Sequence, residues 1–153
     1  MKISFSTIAC PDYSWVDIYS MAKDLGFDGI EIRGMGDDFA AYKAMPFTEA
    51  NRPKTMAKLK ALNIEIPCLS SGCCLKFKEQ AAEAIAELTE YCKLAQQINA
   101  PYIRVLADLE AAPNGEVDDA YVAEQLKKLA PIAEQYDVTL LVETNGVYSD
   151  TRR

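Results

Sequence analysis

Leu25-Gly26-Phe27-Asp28-Gly29-Ile30-Glu31-Ile32-Arg33 joins the end of a helix to the start of a strand. Before it, Trp15, Tyr19, Ala22 and Leu25 form a helical stripe, and Gly26 suits the turn that ends a helix. From Gly29 onward, apolar Ile30 and Ile32 alternate with charged Glu31 and Arg33. A strand of an open, doubly wound sheet is covered on both faces and reads as a nearly continuous apolar run. Alternation with charges fits a barrel strand instead, with its apolar residues turned to outer helices and the others to the interior and mouth. The same pattern returns at Ile103-Arg104-Val105 and at Val142-Glu143. A flavodoxin-like open sheet with five parallel strands is the competing architecture.

Outward from this stretch the chain repeats one theme. Strands are predicted over Ile3–Thr7, Gly29–Arg33, Ile64–Ser70, Tyr102–Ala107 and Thr139–Thr144. Their centres fall roughly 25 to 40 residues apart, which suits parallel strands joined by crossover helices. Ser14, with Asp17 three residues on, caps the first helix. A second helix starts near Pro53 and turns Met56, Leu59 and Leu62 inward. A third, from about Lys78 to Asn99, buries Ala81, Ile85, Leu88, Cys92 and Ala95. A fourth buries Val122, Leu126, Leu129, Ala133 and Tyr136, and carries Pro131 within it, where a kink is expected. The strand pattern, taken together with the resemblance described below, favours an α/β fold class: a partial (β/α)8 barrel of five parallel strands with outer helices, one domain over residues 1–153. A complete barrel typically takes about 250 residues, so this chain is expected to be a truncated one.

Composition narrows the function classes. Half of the 153 residues are apolar, the net charge is −7 and histidine is absent. An acidic chain with scattered cations disfavours a nucleic-acid partner, and no run is long and apolar enough to span a membrane. The N-terminus lacks a signal-peptide pattern, which makes the cytoplasm the expected location. The cysteines Cys10, Cys68, Cys73, Cys74 and Cys92 are odd in number and match no zinc spacing, so packed or loop thiols are expected over a metal or redox site.

Function in a barrel sits at the C-terminal ends of the strands, and the loops there, Gly34–Ala50 and Asp108–Val117, are the long ones. Glu143 closes the run Leu140-Leu141-Val142. A carboxylate there can bind a divalent metal or move a proton; a solvated strand-end glutamate is the plain alternative. Glu31, Arg33 and Arg104 form either a polar wall that orients substrate hydroxyls or a phosphate, or an ion network in which Glu31 pairs with an arginine. Tyr13, Trp15 and Phe39 serve substrate contact or aromatic packing equally well.

These segments resemble the xylose isomerase-like TIM-barrel superfamily of sugar-phosphate isomerases and epimerases. The likeness runs through Lys2–Ser6, Gly26–Arg33, Ala100–Val105 and Leu141–Gly146, with Gly26-Phe27-Asp28-Gly29-Ile30-Glu31 its most specific part. It implies a small sugar or polyol substrate and a divalent metal (Mn, Mg or Zn). It implies that Glu143 is a metal ligand and takes part in acid–base proton transfer. The other ligands, an aspartate, a histidine and a second glutamate, belong to later strands, so tight metal binding and activity are not expected of this chain by itself. Asn145, and the third-strand end Ser70-Ser71-Gly72-Cys73, stand where the family often has histidine. That departure disfavours the apurinic endonuclease branch. The alternative function is a non-catalytic truncated barrel that binds a sugar or self-associates. Open edges at the first and fifth strands, and the inner faces of Phe5, Leu69 and Leu141, are expected to be covered either in a homo-oligomer or by further parts of a longer protein.

Overall fold

The computed structural model describes residues 1–150 and Arg152. Five strands, β1 (Ser4–Ser6), β2 (Gly29–Glu31), β3 (Cys68–Cys74), β4 (Tyr102–Leu106) and β5 (Thr139–Glu143), alternate with α1 (Trp15–Asp24), α2 (Arg52–Leu62), α3 (Ala81–Ile98) and α4 (Asp119–Gln135). All strand pairs are parallel, β1 on β2 and β3-β4-β5 in order. Parallel bridges Gly29↔Glu65 and Ile32↔Leu69 join the two sheets. The lateral order is thus sequential, 1-2-3-4-5, whereas a flavodoxin-like sheet would place β1 beside β3.

The sheet also curls. Four strand spacings of ~4.8 Å would hold the edges of a flat sheet nearly 20 Å apart. Here Ser6 of β1 and Leu141, Val142 and Glu143 of β5 line one and the same recess. That is the curvature of a barrel wall.

Local chemistry explains the element ends. At α1, Asp17 N–H donates to Ser14 Oγ and Ser14 N–H to Asp17 Oδ2, a complete capping box. Gly26 then takes φ +75°, a left-handed turn that turns the chain back into β2. Pro53 lies in the first turn of α2, where a missing N–H costs nothing. Asn63 and Asn99 end α2 and α3 in the left-handed conformation that asparagine tolerates.

Strand β3 differs from the sequence expectation: it runs Cys68–Cys74, not Ile64–Ser70. Pro67 has no N–H to donate, so upstream only the Glu65 bridge forms and the ladder to β4 starts at Cys68↔Tyr102. Past Ser70 the register shifts, and side chains take over the pairing: Ser71 Oγ donates to the Arg104 carbonyl at 2.7 Å and Arg104 Nη1 to the Ser71 carbonyl at 2.8 Å. The irregularity carries the strand two residues beyond Gly72, whose N–H donates to Glu87 of α3.

The core lies between the convex face of the sheet and the helices. Ile30, Ile32, Leu69, Ile103 and Val105 meet Ile18 and Ala22 of α1, Leu59 of α2, Leu88, Cys92 and Ala95 of α3, and Val122 and Leu129 of α4. Two expectations need correcting here. Phe5 and Leu69 do not face the interior. Strand parity puts them with Ile30 and Ile103 on the helix side, Leu69 fully buried and Phe5 against Phe27. Leu141 has the opposite parity; it faces the concave side and is 41% exposed.

Candidate functional site

The concave parity gathers the charged strand residues. Ser6 is level with Glu31, and Ser70 with Arg104 and Leu141; Glu143 ends the row beside Leu106. Glu31, Arg33, Arg104 and Glu143 all line the recess between β1 and β5. The structure brings together every charged residue singled out from the sequence, at the C-terminal side of the strands.

Their pairing is different from the expected one. Arg104, not Arg33, holds the ion pair, and its partner is Glu143: Nε to Oε2 is 2.9 Å. Glu31 instead accepts a short hydrogen bond from Ser70 Oγ. Burial lowers the Arg104 pKa from its ordinary value, the Arg33 charge pushes the same way, and Glu143 and Glu31 oppose both. With its Nη1 on the Ser71 carbonyl and its Nε on Glu143, Arg104 is a fixed fork that sets the orientation of the carboxylate. Arg33 is exposed, and among the described residues only its backbone is pinned, its N–H donating to Thr7 Oγ1 at 2.8 Å.

A second group was missed by sequence reasoning. Asp108 follows β4, is fully buried, and forms an ion pair with Lys76 at 2.6 Å. Its Oδ1 also accepts from Leu109 N–H at 2.7 Å, and its Oδ2 from Val147 N–H at 3.0 Å. Burial tends to raise its pKa, but Lys76 and the N–H groups of Val147, Glu110 and Leu109 outweigh it and hold it at about 2. The signal was present: an aspartate just past a strand of a barrel sits at the mouth. Asp108 ties down the loop that leaves Glu143, so it acts on the site through position.

All five cysteines are free thiols, and burial raises each pKa, to about 12 for Cys73 and about 11 for Cys68 and Cys92. Such thiols are poor nucleophiles and poor ligands. Trp15 packs against Tyr19 and Phe47, whereas Tyr13 and Phe39 are exposed, with Phe39 on the rim of a recess beside Arg33 and Arg104. Asn145 keeps a buried Oδ1 that finds no hydrogen-bond partner among the described residues.

Among the described residues no three His, Cys, Asp or Glu side chains are placed to hold a metal ion. Glu143 Oε2 is engaged by Arg104, and Asp108 is consumed by Lys76 and backbone donors. No helix among the described residues is long and apolar enough to cross a membrane.

Comparison with the curated proteins finds no match. Among solved structures, the chain is similar to the probable 3-DHS dehydratase AsbF of Bacillus anthracis, with TM-score 0.76 and 22% identity over 97% of this chain and 54% of that one. It is similar to the 3-keto-D-glucoside 4-epimerase YcjR of E. coli, with TM-score 0.71 and 15% identity over 93% of this chain and 55% of that one. A Mycobacterium smegmatis xylose isomerase-like TIM barrel protein in complex with magnesium matches with TM-score 0.68 and 16% identity over 94% of this chain and 55% of that one. The chain thus spans about half the length of these structures, and the likeness is one of fold. The family description of the xylose isomerase-like TIM barrel matches residues 19–150, and this chain belongs to that family.

Proposed function

We propose that this chain supplies the first five strands, four of them followed by their helices, and one half of the mouth of a sugar isomerase or epimerase. The reaction is proton transfer at a carbon next to a carbonyl, on a small sugar or polyol. The observation that carries this reading is the Arg104–Glu143 ion pair at the C-terminal end of the strands. A carboxylate held by a buried guanidinium, half-exposed to an open recess, is a base with a fixed direction. Glu143 takes the proton; Arg104 orients it; Glu31 and Arg33 bound the space in which the substrate lies. An epimerase and a dehydratase among the similar structures support chemistry of this kind.

The family resemblance implies a divalent metal, Mn, Mg or Zn, and one similar structure holds magnesium. In this reading Glu143, which lines the open recess, is the candidate ligand that these strands supply. The remaining donors come from the other strands of a complete barrel.

The test joins this chain to three further strand–helix units and supplies Mn²⁺. Incubation with ketoses and their phosphates in D₂O is expected to place deuterium on the carbon beside the carbonyl. Absence of label from every ketose would overturn the reading. A second reading, self-association without catalysis, is favoured by one observation: Leu141 and Val142 of the edge strand are 41% and 39% exposed. Concentration-dependent sedimentation of the 153-residue chain, together with absence of exchange in the completed barrel, would select it.

A further inference from the structure

Glu87 belongs to α3, in the outer helix layer, and is partly buried. Among the described residues it has no ion pair, and its one hydrogen bond goes inward: Oε1 accepts from the Gly72 N–H at 2.7 Å. That N–H can turn to the helix because the ladder to β4 is irregular between Ser70 and Cys74. The carbonyl of the same peptide group, on Ser71, accepts from Arg104 Nη1 at 2.8 Å. The peptide is trans, so its N–H and C=O share one plane and point opposite ways, and neither turns without the other. Arg104 Nε then meets Glu143 Oε2 at 2.9 Å. One line of hydrogen bonds runs from the outer helix, through a single peptide group and a buried guanidinium, to the mouth.

We infer that Glu87 is a positioning residue for Glu143: it fixes the Ser71–Gly72 peptide, which fixes the Arg104 fork, which aims the carboxylate. This role rests on Glu143 being the base, and it adds what sets that direction from outside the mouth. Glu87 does not line the recess that Glu143 lines. An ionised acceptor on the N–H polarises the peptide, so the Ser71 carbonyl accepts more strongly from Arg104. Ser71 Oγ returns a bond to the Arg104 carbonyl at 2.7 Å, which keeps the peptide beside β4. Without Glu87 the Gly72 N–H loses its acceptor, at the residue whose backbone is freest to turn.

The experiment follows the Arg104 Nε–H in ¹H–¹⁵N spectra of the 153-residue chain and measures its exchange with water, beside the Ile103 and Val105 amides of the same strand. Glu87→Ala is expected to speed Nε–H exchange about tenfold or more, as for the loss of a hydrogen bond to a charged group, while both amides keep the parent's rates. A merely structural loss would speed all three together through unfolding. Two further variants separate reach from charge, and they decide by the same comparison if Glu87→Ala does not fold. Glu87→Gln keeps an acceptor oxygen at the same reach and is expected to restore most of the parent's protection. Glu87→Asp keeps the charge but falls a methylene short, and is expected to exchange as fast as Glu87→Ala. Glu90→Ala, which breaks only a surface pair with Lys93 on the same helix, should leave Arg104 unchanged. Exchange at the parent's rate in folded Glu87→Ala, or parallel acceleration of Arg104 and the two amides, would overturn the inference. So would full protection in Glu87→Asp with none in Glu87→Gln, which would make the effect one of charge alone. A freed Arg104 with no deuterium exchange in the completed barrel would sink the proposed reaction and leave this line of bonds standing. Deuterium exchange with an Arg104 indifferent to Glu87 would do the reverse.

Discussion

Asp108 Oδ2 accepts a hydrogen bond from the Val147 N–H at 3.0 Å, and so fastens the loop beyond β5 to the end of β4. The same carboxylate pairs with Lys76 and is fully buried. The chain segment that follows Glu143 is thereby held from its neighbour strand, while Arg104 holds Glu143 itself. The geometry of the candidate base has two anchors, one on the side chain and one on the backbone.

Removing the backbone anchor should be costly. Asp108→Ala leaves Lys76 and the Val147 N–H without their acceptor and is expected to lower stability by about 3 kcal/mol. The folded-state pKa of about 2 lies below the unfolded one. Its contribution to stability is therefore complete above about pH 4 and is lost as the pH falls toward 2. Urea unfolding across that window should show a steeper slope in the parent than in Asp108→Asn, which keeps only the smaller contributions of carboxylates such as Asp118 and Glu124. Equal slopes would remove Asp108 from this role.

Gly146 and Gly36 share φ +55° but differ in surroundings. A Cβ on Gly146 would stand 2.1 Å from Asp108 Oδ2, whereas one on Gly36 meets nothing within 4 Å. Gly36→Ala should cost about 1 kcal/mol, the penalty of the left-handed backbone alone. Gly146→Ala should cost at least about 2 kcal/mol more, since the carboxylate it strikes is fixed by Lys76 and Val147. Thermal melts of the two variants make the comparison, and similar losses would show that the Asp108 contact yields.

The alternation around Glu31, Arg104 and Glu143, taken with the family resemblance, pointed to a barrel wall, because a period of two with charge on one side is a local property. The capping box at Ser14 and the turn at Gly26 were legible for the same reason. The pairing was not. That Arg104 meets Glu143 while Glu31 meets Ser70 depends on register between strands distant in sequence, which no single segment encodes. The start of β3 was misplaced because Ile64 and Ile66 look like strand residues, and the effect of Pro67 on the ladder was not weighed. Asp108 was passed over as a loop residue; its importance comes from burial and from the backbone it meets, both tertiary facts.

The central claim is that Glu143 moves the proton, and deuterium exchange in the barrel completed by three further units tests it most directly. Arg104 and the Asp108 latch should hold the rest of the mouth in place when Glu143 becomes Gln. The account predicts that Glu143→Gln keeps the parent's fold, as judged by its amide spectrum, and lowers the rate of C–H exchange into substrate by about a hundredfold or more. Exchange by the folded Glu143→Gln barrel at the parent's rate would contradict it.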